Sequence, residues 1–159
     1  MTTLRFDDIE TYRQQVQRII INAEQRLCLF DTDLSHSNLD SIANTAALQA
    51  LCQVTKNEAS VRLLIRDERH FERDCARLQK VYQLFGHRLA LRITHSPLAR
   101  DAALFAYNDR FDYVTRFHPD SMRGSAGEDD SATCATLAAQ FETLWETAEP
   151  ISGGKILGL

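Results

Sequence analysis

Apolar residues recur along the chain with two different periods, and the changes of period divide it into helices and strands. Steps of three and four residues predict an amphipathic helix from Phe6 to Glu24, with Asp7 and Asp8 near the positive end of its dipole. The apolar run from Arg26 to Phe30 is too short for a helix and predicts a buried strand. The polar stretch 31–38 that follows predicts a loop.

The alternation of helix and strand continues through the next three elements. A helix over about 40–55 is expected to be capped by Asp40 or Ser41, and a strand follows over 61–65. Because the last three residues of this strand are all apolar, both of its faces are expected to be covered, as in a parallel sheet between two layers of helices. A third helix is predicted over 68–85 and ends at the glycine that follows it.

The second half of the chain is richer in strand patterns. The predicted elements are strands over 88–94 and 102–107, a hairpin turn at 108–110, a strand over 111–116 and a helix over 131–148 that ends before Pro150. The stretch 118–130 contains Pro119, Gly124, Gly127 and four acids, so an exposed and mobile loop is expected there.

These elements predict an α/β fold with a mixed sheet, parallel early and antiparallel late, and with helices on both faces. The chain has 159 residues, of which 44% are hydrophobic and 25% charged, so it is long enough for one domain with its own core. We expect that domain to span 1–150, and residues 151–159 to form a flexible C-terminal tail.

Charge and composition narrow the classes of function. A net charge of −4 argues against general nucleic-acid binding, which needs a basic face. The apolar runs are far shorter than the ~20 residues of a membrane span, and the acidic N-terminus does not resemble a secretory signal, so the cytoplasm is the expected location. The cysteines show no C-x-x-C spacing and are expected to be buried, reduced thiols; they are Cys28, Cys52, Cys75 and Cys134.

Charged residues follow two of the predicted strands at the point where each ends. The residues 31–33 follow one strand and 66–70 follow the next, and ligands of open α/β sheets bind at the carboxyl ends of the strands. The alternative for most of these charges is a solvated helix face with neighbouring ion pairs. Arg66 differs, because its place at the strand end keeps it off the helical face.

Other catalytic and metal-binding motifs find little support in the sequence. The five histidines, at positions 36, 70, 87, 95 and 118, share no metal-ligand spacing, so neither a metal nor another cofactor is expected. His95 and Ser96 could form a base and nucleophile, but no G-x-S-x-G elbow surrounds them. No glycine-rich phosphate cradle follows a strand.

Several segments together resemble a known fold family. They are 61–67 before a long helix, the strand ending in His95-Ser-Pro97, the pair 102–109 and 111–116, and Phe141-Glu-Thr-Leu-Trp145. In this pattern the chain, from about Glu24 to Pro150, resembles one half of a phospholipase D-like fold. More closely, it is similar to an uncharacterised bacterial family of such half-domains, sometimes fused behind an N-acetyltransferase.

The resemblance implies the fold but argues against the reaction. Active members carry H-x-K, in which the His attacks phosphorus and the Lys stabilises the charged oxygens. Here the equivalent stretch has Arg100 in place of the His and Ala102 in place of the Lys, and a shifted register from His95 puts Pro97 at the Lys position. Asp109 is the candidate for the family's acid, but alone it transfers no phosphoryl group.

An anion-binding role is therefore the leading hypothesis. Arg66, His95, Arg100 and Arg116 could converge at the strand ends on a phosphate-containing small molecule, since Arg suits bidentate phosphate contacts. The alternative is that each pairs with a neighbouring acid, for example Asp67, Asp101 or Asp112.

Two functions follow from these hypotheses. The first is a non-catalytic binding or interaction module, a pseudoenzyme, expected to be a homodimer because active single-half members pair two copies to complete one site. The second is a divergent phosphodiesterase or nuclease that uses His95 with Ser96 or Asp101.

Overall fold

The computed structural model describes residues 3–56 and 58–151, and this part of the chain forms eight strands and five α-helices. The strands are β1 (Thr3–Phe6), β2 (Leu27–Phe30), β3 (Val61–Ile65), β4 (Leu89–Ile93), β5 (Leu104–Asn108), β6 (Tyr113–Arg116), β7 (Gly124–Gly127) and β8 (Glu149–Pro150). The helices are α1 (Ile9–Asn22), α2 (Ile42–Val54), α3 (Arg69–Asp74), α4 (Ala76–Phe85) and α5 (Ser131–Glu146).

All eight strands join in one sheet, in the order β1-β7-β6-β5-β2-β3-β4-β8. β2, β3 and β4 are parallel neighbours, whereas β5 pairs antiparallel with β2, and every later pairing is antiparallel. As a result β6 runs in the same direction as β2. The loops after β2, β3, β4 and β6 therefore meet at one edge of the sheet, which we call the carboxyl edge.

The sheet separates two hydrophobic layers. Leu27 and Leu29 of β2 face the layer that α1, α2, α3 and α4 cover, and Cys28 and Phe30 face the layer that α5 covers. β3 is divided in the same way and is buried on both faces, as its run of apolar residues predicts. The predicted fold class, a mixed sheet with helices on both faces, is thus confirmed.

Two strand arginines extend the α5 layer beyond its apolar core. The guanidinium carbon of Arg62 lies 5.1 Å from the ring centre of Phe141, and that of Arg92 lies 4.4 Å from the ring centre of Trp145. Arg62 also pairs with Glu142 at 2.5 Å, and Arg92 donates to the Trp145 carbonyl at 3.0 Å. These cation–π and hydrogen-bond contacts attach α5 to β3 and β4.

The structure differs from the sequence prediction at the first element. Residues 3–6 form an edge strand, and α1 begins only at Ile9, after an N-cap in which Asp8 accepts the Thr11 N–H at 2.7 Å. Phe6, predicted as the start of the helix, is instead opposite Gly124 in the sheet, and its ring packs against Tyr12.

The helix predicted over 68–85 is also interrupted. It divides into α3 and α4 at Cys75, whose φ of −109° and ψ of 53° are not helical. Two polar side chains stabilise the break: Asp40 accepts the Leu78 N–H at 2.8 Å, and the Gln79 amide donates to the Phe71 carbonyl at 2.6 Å. Asp40 lies 38 residues before Leu78 in the chain, so local periodicity does not reveal this partner.

The expectation of an exposed loop over 118–130 is wrong for its central part. Residues 124–127 form β7, which is largely buried between β1 and β6. Gly124 allows the backbone of β6 to approach closely, because a Cβ at this position would overlap the Thr115 carbonyl oxygen.

The end of the described chain packs against the sheet. Ile151 is buried and its N–H donates to the Leu91 carbonyl at 3.2 Å, while residues 152–159, the rest of the predicted tail, lie outside the described residues. Within residues 3–56 and 58–151, no helix has both the length and the apolar character needed to cross a membrane.

Substitution of Gly124 by Ala is expected to lower the free energy of unfolding by about 3 kcal/mol or more, at the upper end of overpacking effects, because the new methyl would overlap the Thr115 backbone and lie 2.6 Å from the Phe6 ring. Urea denaturation measures the change. Gly86→Ala is the matched control: Gly86 has a φ of −59° and its nearest Cβ contact is 3.1 Å, so a change within about 1 kcal/mol is expected. Equal stability of Gly124→Ala and wild type would contradict the close packing of β7.

Candidate functional site

Backbone hydrogen bonds fix the loops of the carboxyl edge to one another. The Arg66 and Asp67 N–H groups both donate to the Thr32 carbonyl, at 2.9 and 3.1 Å, and so join the loop after β3 to the loop after β2. The Thr94 N–H donates to the Ile65 carbonyl at 2.8 Å, which joins the loop after β4 to the end of β3. The side chains at this edge are therefore held on a rigid base.

Arg66 and Arg100 meet at this edge. The Arg66 guanidinium donates from Nη1 to the Arg100 carbonyl at 3.2 Å. Arg100 ends a 3-10 turn over Pro97–Ala99, in which the Ser96 hydroxyl accepts the Leu98 N–H at 3.2 Å. Arg66 is half-exposed and Arg100 exposed, so both guanidiniums are open to solvent.

The three acids that the sequence offers as partners for the arginines contact other side chains. Asp67 pairs with Arg69 at 2.6 Å, Asp101 lies 3.4 Å from His118, and Asp112 lies 3.7 Å from Arg18. Hydrogen bonds from Arg69 lower the pKa of Asp67 to about 2. None of these three carboxylates forms an ion pair with Arg66 or Arg100. The alternative interpretation of the sequence, in which each arginine pairs with a neighbouring acid, does not describe these two.

Arg116 is placed differently from the other predicted site residues. Its side chain is completely buried, at 0% exposure, on the α1 side of the sheet. The guanidinium donates to the Ser121 carbonyl at 3.0 Å, to the Pro119 carbonyl at 2.9 Å and to His36 Nδ1 at 3.1 Å. Arg116 thus ties the loop after β6 to the loop after β2.

Buried polar groups surround the Arg116 guanidinium. The Tyr12 ring centre lies 5.2 Å from its carbon, and Asp31 interacts with its charge. Burial raises the pKa of Asp31, although the Thr32 N–H, the Ser37 hydroxyl and Arg116 act in the opposite direction. The Tyr12 hydroxyl and Asp31 Oδ2 are buried atoms with no hydrogen-bond partner among the described residues. Sequence reasoning singled out Asp31 but missed Tyr12 and His36.

The histidines at the carboxyl edge are engaged with acids. His95 has 70% of its side chain exposed and lies 3.8 Å from Glu149. His118 accepts the Asp120 N–H on Nδ1 at 3.1 Å and points Nε2 toward Asp101. Of the four residues predicted to converge, the structure joins the Arg66 guanidinium to the main-chain carbonyl of Arg100. Convergence of the four side chains on an anion stays a prediction.

Asp109, the candidate for the family's acid, lies at the opposite edge of the sheet. Its Oδ1 accepts three backbone N–H groups, from residues 24, 25 and 26, at 3.0 to 3.1 Å. Burial acts to raise the pKa of Asp109, but these hydrogen bonds outweigh it and the pKa is lowered. The carboxylate therefore fixes the chain between α1 and β2.

Neither the thiols nor a metal cluster adds chemistry to this edge. All four cysteines are buried and free, and burial raises the pKa of Cys52 and Cys134 to about 11 and of Cys75 to about 12. These thiols are protonated, weak nucleophiles at neutral pH. In the part of the chain that the structure describes, no three His, Cys, Asp or Glu side chains are grouped to hold a metal ion.

Arg116→Lys is expected to lower the free energy of unfolding by about 2–4 kcal/mol, because one ammonium cannot replace three directed contacts of a buried guanidinium. Arg123→Lys, in the same loop but exposed, is the control and should stay close to wild type. Both are measured by urea denaturation. A loss smaller than about 1 kcal/mol would show that Arg116 does not anchor the loop.

Asp31→Asn is expected to raise the thermal midpoint at pH 7. The folded pKa of Asp31 is raised above its unfolded value, so the stability linked to its protonation is full below about pH 3.9 and is lost as pH rises through the folded value. Asparagine mimics the protonated form at every pH. The gain over wild type should therefore shrink as the pH falls toward 3.9, and a gain that is constant with pH would contradict the assignment.

Solved structures share this fold at low sequence identity. Nuc, a phospholipase D family member from Salmonella typhimurium, matches with a TM-score of 0.68 and 12% identity, over 96% of this chain and 99% of Nuc. TrmBL2, an archaeal chromatin protein whose structure shows a novel mode of DNA binding, matches with a TM-score of 0.69 and 13% identity. The match covers 95% of this chain and 55% of the TrmBL2 chain. Such identities show the fold alone.

Sequence comparison assigns the family. No curated protein is similar enough to match. A family model, described as a domain of unknown function (DUF7931), matches residues 8–157, which is nearly the whole chain. With a phospholipase D-like fold shared with Nuc, this chain belongs to the DUF7931 family of domains of unknown function.

Proposed function

We propose that this protein is a non-catalytic, phospholipase D-like module that binds a phosphate-containing anion at the carboxyl edge. The observation that carries the proposal is the pair of solvent-accessible arginines there, Arg66 and Arg100, whose sequence neighbours Asp67 and Asp101 contact Arg69 and His118 instead. An unpaired guanidinium offers a planar set of N–H donors that matches phosphate oxygens.

The chemistry of the edge favours binding over phosphoryl transfer. The chain has lysines only at positions 56, 80 and 155, and none lies two residues after a histidine. Arg100 stays protonated and cannot act as a nucleophile. His118 uses both ring nitrogens for neighbouring groups, and His95 has a carboxylate nearby but no ammonium two residues downstream. An attacking imidazole with its own cationic clamp is therefore not formed from these residues.

A small anion suits this site better than a long polyanion. The chain carries a net charge of −4, and extended nucleic acid is bound by many phosphate contacts on a basic face. Two solvent-exposed arginines support a dissociation constant on the order of 0.1–1 mM for inorganic phosphate, since each charge-assisted hydrogen bond contributes about 1.5–3 kcal/mol before the costs of association. DNA binding, the property described for the archaeal chromatin protein TrmBL2, is the rival outcome to test.

The proposal includes a homodimer in the cytoplasm. One half of a phospholipase D-like fold presents one set of edge loops, and a second copy would supply another. Four free, buried cysteines are compatible with a reducing compartment.

Inorganic phosphate is expected to shift the backbone amide resonances of the carboxyl edge, and Arg66→Ala should weaken binding about tenfold, which equals the loss of about 1.4 kcal/mol. The measurement is an NMR titration at constant ionic strength. Arg110→Ala is the matched control, because Arg110 is an exposed arginine at the opposite edge with Glu24 as its partner. It changes the net charge equally and should leave the affinity within about twofold.

Three outcomes would overturn the proposal. The first is an absence of saturable shifts in wild type up to tens of millimolar phosphate, or equal losses in both variants. The second is turnover of a generic phosphodiester that His95→Ala abolishes, which would establish the divergent phosphodiesterase instead. Binding of duplex DNA with a steep salt dependence would replace the small anion by nucleic acid.

A further inference from the structure

Asp101 is the carboxylate best placed to interfere with an anion at this edge. It follows Arg100 directly in the chain, and the Arg100 carbonyl accepts the Arg66 guanidinium at 3.2 Å. The Asp101 side chain is 78% exposed, so it is free to rotate toward either arginine. In the structure it turns instead to His118, with Oδ1 at 3.4 Å from Nε2.

The hydrogen bond that His118 accepts determines which of its two ring nitrogens carries the proton. The Asp120 N–H donates to Nδ1 at 3.1 Å, so Nδ1 acts as an acceptor. In a neutral imidazole the proton then sits on Nε2, where it points to the Asp101 carboxylate. The backbone of the same loop thus prepares His118 as a donor to Asp101.

Arg116 determines where this imidazole lies. Its buried guanidinium binds the Pro119 and Ser121 carbonyls, which closely follow His118 in the loop after β6. The residues that follow His118 are therefore attached to the buried Arg116. Arg116 is a positioning residue here, since it acts through the loop and lies away from solvent.

We propose that His118 holds the Asp101 carboxylate away from Arg66 and Arg100 and thereby keeps the anion site open. The proposal rests on the anion-binding function above and names the contact that regulates it. Without His118, the exposed Asp101 carboxylate would be free to turn to the Arg66 or Arg100 guanidinium and would compete with the anion as a tethered carboxylate. Tethering gives an effective concentration in the millimolar range, which is the range expected for the dissociation constant of phosphate.

A double-mutant cycle with inorganic phosphate tests this proposal. His118→Ala is expected to weaken phosphate binding about threefold to fivefold, the size of an exposed ion pair. Asp101→Asn should bind at least as tightly as wild type. In the Asp101→Asn background, His118→Ala should have no further effect, because the competing carboxylate is already absent. Equal thermal midpoints of the four proteins serve as the control for folding.

Two results of the cycle would overturn the proposal. If His118→Ala weakens binding by the same factor with Asp101 and with Asn at that position, His118 contacts the anion itself. If His118→Ala leaves the affinity unchanged, Asp101 does not reach the arginines. Only a loss that depends on the Asp101 carboxylate supports the proposed role.

A measurement without phosphate separates this inference from the proposed function. The Nε–Hε resonances of Arg66 and Arg100 should shift in His118→Ala relative to wild type, and Asp101→Asn should reverse the shift. If wild type fails to bind phosphate while these resonances shift, the binding function is wrong and the role of His118 in holding Asp101 stands. If phosphate binds but the ligand-free resonances do not move, the role of His118 is wrong and the binding function stands.

Discussion

The antiparallel pairing of β5 with β2 determines where the chemistry of this molecule lies. On one side of this pair β2, β3 and β4 are parallel and end at the carboxyl edge; on the other side β5, β6 and β7 form an antiparallel meander. Because β5 runs against β2, the segment that enters β5 begins beside the ends of β3 and β4. Arg100 reaches Arg66 across 34 residues of sequence for this reason.

Arginine serves two opposite purposes within this edge. Arg116 is completely buried and contacts carbonyl oxygens, an imidazole and an aromatic ring. Its guanidinium therefore has a structural role inside the protein. Arg66 and Arg100 remain accessible to solvent, and the neighbouring Asp67 and Asp101 contact other side chains. Residue type alone does not distinguish the two uses; burial and the identity of the nearest acceptors do.

The sequence predicted the elements whose pattern is local and left out those that depend on distant partners. β3 has the predicted bounds, 61–65, since an apolar run between two helices has few other interpretations. β7 was missed because its glycines resemble a loop until Phe6 and Tyr113 are seen to fill the space above them. The burial of Arg116 was missed because one of its partners, His36, is 80 residues away in the chain. The edge position of the candidate residues was predictable, but the pairing of each nearby acid was not.

The cation–π stack on the α5 face has a practical consequence. Trp145 is the one tryptophan of the chain, and two strand guanidiniums, those of Arg62 and Arg92, lie against its ring. The intrinsic tryptophan fluorescence therefore arises from one buried indole that contacts two guanidiniums. Separation of α5 from the sheet, by denaturation or by a partner that competes for this helix, changes the emission spectrum of Trp145. The protein can therefore be monitored by its own fluorescence, without an added label.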